Sequence, residues 1–340
     1  MPINALVSIV IPVFNREEFL IETVNSIVQQ TYTHWELLLV DDGSTDRSIQ
    51  IAQEFSNKDA RIKSIQRDRA PKGAPTCRNI GLDRAIGKYV IFLDSDDLMA
   101  PYCLTQRLKK VSDFPENDFW VFPMMIFEKT VYDTRRLTNI NSDEGDLYRF
   151  LRSDIVWQTA QPIWSKASLV KLGGFDEEFP NCQDHDLHLR AIIEGLAYRK
   201  FLDEKPDTFY RKHNSEKIYK PSDPLRVLKG INKLFTKLAL DYSDFLKDDE
   251  EAIRNIRPFL FRTLRMYTRN GVYDVPSNLS RLLFQNGLVA KIDFVKLRLY
   301  VSLSAKGFNR VRGFEKLWNL IIHLDYHSMT WGQTVYSKPI

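Results

Sequence analysis

Leu6-Val7-Ser8-Ile9-Val10-Ile11-Pro12-Val13 is an almost unbroken apolar run, and that continuity decides the fold. A strand with one wet face alternates apolar and polar residues. A continuous Val/Ile run belongs to a strand buried on both faces, which needs helices on either side of the sheet. Working outward, Glu17 to Gln30 carries Phe19, Leu20, Val24, Ile27 and Val28 at helical spacing. Trp35 to Val40 reads as a second buried strand, ending in Asp41-Asp42-Gly43-Ser44, and Asp46 stands where it can cap a helix running to about Phe55. Ile62 to Gln66 is a short third strand, Pro75 to Ile86 a helix ended by Gly87, and Tyr89 to Leu93 a fourth buried strand. Such alternation predicts right-handed crossovers and a mainly parallel, Rossmann-like α/β sheet covered on both faces. Ligands of such sheets bind beyond the carboxyl ends of the strands. That rule selects three loops: 12–16, 41–46 and 94–101.

Beyond Phe114 the pattern loosens, with a strand predicted over Phe119 to Met125 and a helix over Asp184 to Glu194. After Pro221 the periodicity is helical over Leu225 to Leu246, Glu250 to Thr268 and Lys296 to Leu324, with punctuation at Pro258, Gly271, Pro276 and Gly287. The expected division is an α/β domain over 1–220 and a mostly helical extension over 221–340. A chain of 340 residues with 44% hydrophobic and 27% charged residues can build a large core. Cys77, Cys103 and Cys182 form no CxxC pair, which argues against a disulfide framework or structural zinc and for free thiols. The net charge of +4 is too mild to indicate nucleic acid, and no motif supports such a partner. The first residues lack a basic leader pattern, and no apolar run reaches about 18 residues, so the expected location is the cytoplasm.

The strongest local signal is Phe92-Leu93-Asp94-Ser95-Asp96-Asp97, at the end of the fourth strand. Carboxylates packed this closely repel one another unless a cation holds them. Oxygen ligands suit Mg2+ or Mn2+, which also bind diphosphate oxygens. Alone, the run also reads as a strand-end turn of solvated aspartates.

Set beside its neighbours, it reads differently. Val7-Ser8-Ile9-Val10-Ile11-Pro12-Val13-Phe14-Asn15-Arg16 resembles the opening strand of family 2 glycosyltransferases. Gln29-Gln30-Thr31-Tyr32, Glu36-Leu37-Leu38-Leu39-Val40-Asp41-Asp42-Gly43-Ser44-Thr45-Asp46 and Arg78-Asn79-Ile80-Gly81-Leu82 are similar to that family's next blocks, in its order and spacing. The aspartate run takes the place of its DxD motif. The resemblance covers about residues 5 to 105. It implies a GT-A fold, a nucleotide diphosphate sugar donor, a glycan or lipid-linked glycan acceptor, and inversion at the anomeric carbon. Transfer of a hexosyl or N-acetylhexosaminyl group in bacterial cell-surface polysaccharide assembly is the expected setting.

Carried over residue by residue, the resemblance puts Pro12, Val13 and Asn15 against the nucleotide and Asp42 on the base. A carboxylate accepts where uracil N3–H donates, so a UDP-type donor is favoured. Arg78 falls near the base and diphosphate, Asp94 and Ser95 on the donor with Asp94 at the ribose, and Asp96 on Mn2+ or Mg2+. Gly43 and Gly81 read as turn and packing glycines. The stretch Asp68-Arg69-Ala70-Pro71-Lys72-Gly73-Ala74-Pro75 departs from the family's short Gly-rich loop. Its basic residues either meet phosphates or sit in a solvated loop.

In the second half, Gly173-Gly174-Phe175-Asp176-Glu177-Glu178-Phe179 and Gln183-Asp184-His185-Asp186-Leu187 resemble the acceptor-side motif, in which a Glu-Asp pair opens a helix. Gln183 replaces the usual Glu, leaving Asp184 as the carboxylate that would deprotonate the acceptor hydroxyl. Helix capping is its structural alternative. Asp186, two residues on, faces elsewhere. Tyr210-Arg211-Lys212-His213 is similar to the family's Tyr-Arg-x-His element, placing Arg211 at the diphosphate and His213 at the metal. Trp157 and Trp164 line either an acceptor cleft or the core. Lys291, Lys296, Arg298, Lys306, Arg310, Arg312 and Lys316 alternate with Phe294, Leu297, Leu299, Val301, Phe308 and Leu317. That is a basic amphipathic pattern, for peripheral membrane contact or for a helix packed on the domain. A non-catalytic GT-A module that binds nucleotide sugar or scaffolds a complex is the competing reading.

Overall fold

A computed structural model of the chain describes residues 4–139, 141–213, 224–321 and 335–336. The first half follows the predicted alternation: β1 (Val7–Val13), α1 (Leu20–Val28), β2 (Trp35–Asp41), α2 (Ser48–Lys58), β3 (Ile62–Gln66), α3 (Ala74–Arg84), β4 (Tyr89–Phe92), β5 (Leu98–Met99) and α4 (Cys103–Asp113). Then come β6 (Phe119–Val121), β7 (Met124–Phe127), β8 (Arg136–Leu137), α5 (Asp146–Leu151), β9 (Pro162–Ser165), α6 (Lys166–Lys171), α7 (Gln183–Ile193), β10 (Tyr198–Lys200) and β11 (Thr208–Arg211). The last stretch holds α8 (Pro224–Asp241), α9 (Ser243–Leu246), α10 (Glu250–Arg269), α11 (Asp274–Gln285), α12 (Lys291–Ala305), α13 (Phe314–Ile321) and β12 (Val335–Tyr336).

The central sheet runs β10-β6-β9-β4-β1-β2-β3. β3, β2, β1 and β4 are mutually parallel, β9 lies antiparallel between β4 and β6, and β10 is parallel to β6. Alternate residues of β1 enter different cores, as a doubly covered strand requires. Val7, Ile9, Ile11 and Val13 meet α1 and α4 on one face. Val10, with Leu38, Val90 and Phe92, belongs to the core on the other face, which continues through α7 into α8, α10 and α12. A second sheet, β12-β8-β7-β11-β5, carries the end of β11 to the mouth of the first.

The structure revises the expected elements in several places. Phe119 to Met125 is two strands in two sheets, because Phe122-Pro123 breaks the ladder between them. β9 had no sequence signal, being four residues long and headed by Pro162. The 225–246 helix divides at Tyr242 into α8 and α9. Pro258 lies inside α10 and does not end it. The buried Phe259, Leu260, Phe261 and Leu264 around it outweigh the roughly 3 kcal/mol that an interior proline costs. Lys296 to Leu324 is not one stretch: α12 begins at Lys291 and ends at Ala305, and α13 follows from Phe314. Residues 335 and 336 return as β12 beside β8, so the extension is mainly but not wholly helical. The boundary expected at 220 falls outside the described residues.

Candidate functional site

The parallel strands end level: Pro12 pairs with Val40 and Val13 with Asp41, and Asp42 N donates to Val13 O at 2.8 Å. The loops after β1, β2 and β4 therefore open on one cleft. Pro12, Val13, Asp42, Arg78, Asp94, Ser95 and Asp96, all singled out in the sequence, line it together. Phe14, Arg16, Ala74 and Gln183 join them. Phe14, Arg16 and Ala74 have no role assigned by the sequence pattern, and Gln183 stands where that pattern has Glu.

Arg78 rises from α3 with a buried guanidinium. Its Nη2 donates to Asp94 Oδ1 at 2.6 Å, while Nε and Nη1 are buried without a hydrogen-bond partner. Two unspent donors on a buried cation are costly unless an acceptor arrives. Asp42 already accepts from Arg67 Nε at 2.6 Å and Gly73 N at 3.2 Å, both on Oδ1. The neighbouring loop is only partly a phosphate-facing surface. Arg69 pairs with Asp83 and Glu177, and Lys72 Nζ sits 3.7 Å from the centre of the Phe14 ring.

Asp96 is the meeting point of three segments. Its Oδ2 accepts from Arg16 Nε at 3.2 Å and lies 3.0 Å from His213 Nε2, which β11 delivers from the second sheet. No group of three or more His, Cys, Asp or Glu side chains is gathered for a metal among the described residues. The donor set that does exist is one carboxylate and one imidazole in contact. That fits Mn2+ or Mg2+ only when diphosphate oxygens complete the shell, the usual arrangement for cations on nucleotide phosphates. Asp97 serves otherwise. It is buried and accepts from Arg211 N at 2.9 Å. Burial, with Asp96 and Asp94 beside it, pushes its carboxyl well above the usual range.

Four predicted residues are not part of the cleft lining: His213 touches it through Asp96, Asp184 follows Gln183 at its edge, and Asn15 and Arg211 act as braces. Asn15, at φ 51, accepts from Thr45 N at 2.8 Å and so braces the β1 loop against the β2 loop. Arg211 donates from Nε to Asp96 O at 2.8 Å and from Nη2 to Glu22 Oε2 at 2.6 Å. It holds the aspartate run in place from behind.

At the start of α7, Cys182 takes the cap with φ 59, so Asp184 lies within the first helical turn and is not the cap. Its Oδ1 accepts from His185 N at 2.9 Å. Burial raises its pKa, the Arg78 cation works against that rise, and Asp94 adds to it. A carboxyl poised above the ordinary range beside the Arg78 cation suits proton abstraction. Asp186 faces away, as expected, and is held by Arg190 at 2.8 Å and Lys237 at 3.1 Å. His185 donates to Phe150 O at 2.8 Å, and burial brings its pKa down to about 4, so it is neutral. Trp157 and Trp164 are wholly buried in the core.

The model of the family described as Glycosyl transferase family 2 matches residues 8–176. A Bacillus subtilis relative, the uncharacterized glycosyltransferase EpsJ, is 30% identical over 231 residues, covering 64% of this chain and 65% of EpsJ. Another from that organism, TuaG, named for teichuronic acid biosynthesis, is 42% identical over 92 residues, covering 27% of this chain and 36% of TuaG. The chain thus spans less than two thirds of the length of these curated relatives. Among solved structures, Staphylococcus aureus TarS 1–349 in complex with UDP-GlcNAc superimposes with a TM-score of 0.64 at 19% identity, covering 92% of this chain and 91% of that one. At that identity the likeness is one of fold, the GT-A architecture.

Proposed function

Since this chain belongs, through residues 8–176, to glycosyl transferase family 2, we propose that it transfers a sugar from a nucleoside diphosphate donor to an acceptor hydroxyl with inversion at the anomeric carbon. One observation carries the reading: buried Arg78, with two donor nitrogens unspent, stands at one cleft with Asp96 and beside the raised carboxyl of Asp184. That arrangement offers an anion site and a base together.

In this reading Asp184 takes the proton of the acceptor hydroxyl as its oxygen attacks the anomeric carbon. The bond from that carbon to the diphosphate oxygen breaks, and its electron pair leaves with the nucleoside diphosphate. Arg78 and Arg16 face the cleft where that negative charge grows. Asp96 and His213 are the pair that would hold Mn2+ or Mg2+, and a bound cation supplies charge neutralisation at the diphosphate. A UDP donor is favoured by Asp42 at the cleft wall and by the UDP-GlcNAc held in TarS. Cell-surface polysaccharide assembly, with a hexosyl or N-acetylhexosaminyl group transferred to a glycan or lipid-linked glycan, is favoured by the likeness to TuaG.

The test is release of nucleoside diphosphate from a panel of UDP- and GDP-sugars, with and without glycan acceptors and Mn2+. Acceptor-stimulated release is expected from one donor. Tight donor binding without turnover on any acceptor would indicate the non-catalytic module instead.

A further inference from the structure

The last helices leave apolar surface outside in a way the core does not explain. On α12, Leu297, Tyr300 and Val301 turn inward, while Ile292, Val295 and Leu299 are 65%, 57% and 51% exposed. Those three positions, i, i+3 and i+7, share one helical face. α13 lies along α12, because Tyr300 packs against Phe314 and Trp318 and Lys296 Nζ donates to Ile321 O at 2.9 Å. It too leaves apolar residues outside, with Leu317 54% and Leu320 67% exposed. The amphipathic pattern of the sequence is thus split: Leu297 and Val301 belong to the core, and a different set faces solvent.

The charges are sorted in the same sense. The two acids of residues 291–321, Asp293 and Glu315, are both engaged by arginines of α10. Asp293 lies 3.5 Å from Arg257, and Glu315 lies 2.7 Å from Arg265 Nε, an ion pair without hydrogen-bond alignment. Lys291, Lys306, Arg310, Arg312 and Lys316 are exposed. The outer surface of α12, α13 and the turn between them is therefore apolar and cationic, with its carboxylates withdrawn.

We propose that this surface docks on a lipid bilayer rich in anionic headgroups, the apolar residues entering the interface and the cations meeting phosphates. Charge complementarity selects this occupant over a second copy of the chain, which would bring cations against cations. No described helix is long and apolar enough to cross a membrane, so the contact is one of lying on the surface. It stands apart from the donor chemistry and can fail without it.

The experiment is co-sedimentation of the full chain with vesicles of phosphatidylcholine alone or with about 30% phosphatidylglycerol, at low and high salt. Binding is expected only to the anionic vesicles and is expected to weaken as salt rises. Val295→Glu with Leu299→Glu, and separately Lys306→Glu with Arg310→Glu, are each expected to cut partitioning at least about tenfold, with the melting temperature unchanged. The charge-reversed pair keeps the test decisive if the apolar pair misfolds. Failure of the wild-type chain to bind anionic vesicles, equal binding to neutral ones, or unaffected binding by a folded charge-reversed variant overturns the proposal. So does a concentration-dependent dimer abolished by these substitutions in a chain that binds no lipid.

Discussion

Asp184 carries the sharpest expectation at the scale of single residues. Asp184→Asn keeps the size and removes the basicity, so kcat for transfer is expected to fall about 10²- to 10⁴-fold with nucleotide Kd unchanged. Steady-state kinetics beside calorimetry checks this, and near wild-type turnover in a folded variant removes Asp184 from the mechanism. Burial raises its pKa, so the acid limb of kcat in the wild type is expected above the ordinary Asp value of about 3.9. The sign for stability follows. A raised folded-state pKa means the wild type loses stability as pH rises through it, and the Asn variant does not. The variant's melting temperature is therefore expected to exceed that of the wild type near neutrality and to converge with it in acid. Asp96→Ala removes the carboxylate that meets both Arg16 and His213. Titration of nucleotide is expected to lose its Mn2+ dependence, and an unchanged dependence would place the cation elsewhere. Arg16 escaped the sequence reading although it follows Asn15 directly. Adjacent residues on a loop diverge, and only the left-handed turn at Asn15 shows which of the two enters the cleft.

At the scale of elements, legibility tracked length and burial. β1, β2 and β4 announced themselves because each is a run of residues buried on both faces. β9 did not, since four residues beginning with proline carry no period, yet it joins β4 to β6. Gly81 illustrates what a sequence can hint at and a structure can explain. A Cβ there would lie 2.2 Å from Val10 Cγ1, so α3 reaches β1 only because this residue has none. Gly81→Ala is expected to destabilise by about 1–3 kcal/mol through overpacking, measurable by denaturant melts. α4 is fixed to the strand approach of β11 by Arg107 and Asp207, both fully buried. Their guanidinium and carboxylate meet at 2.8 and 2.7 Å. Asp207→Ala strands a cation in the core and is expected to cost about 3–5 kcal/mol, whereas an apolar pair of similar volume should cost far less. Equal losses from the single and paired substitutions would deny that the stranded charge is the cause.

For the whole molecule, α8 is more than an appendage. Lys233 Nζ reaches Asp176 and Glu178 at 3.0 Å each. Lys237 reaches Asp176 at 3.2 Å and Asp186 at 3.1 Å, and Gly230 packs closely on Asn181. These carboxylates flank Asp184 in sequence, so the lysines that compensate them come from a segment made later. The charge balance around Asp184 thus depends on a segment that comes later in the chain. A polypeptide cut before α8 would leave Asp176, Glu178 and Asp186 without these lysines, so the two halves are electrostatically one unit.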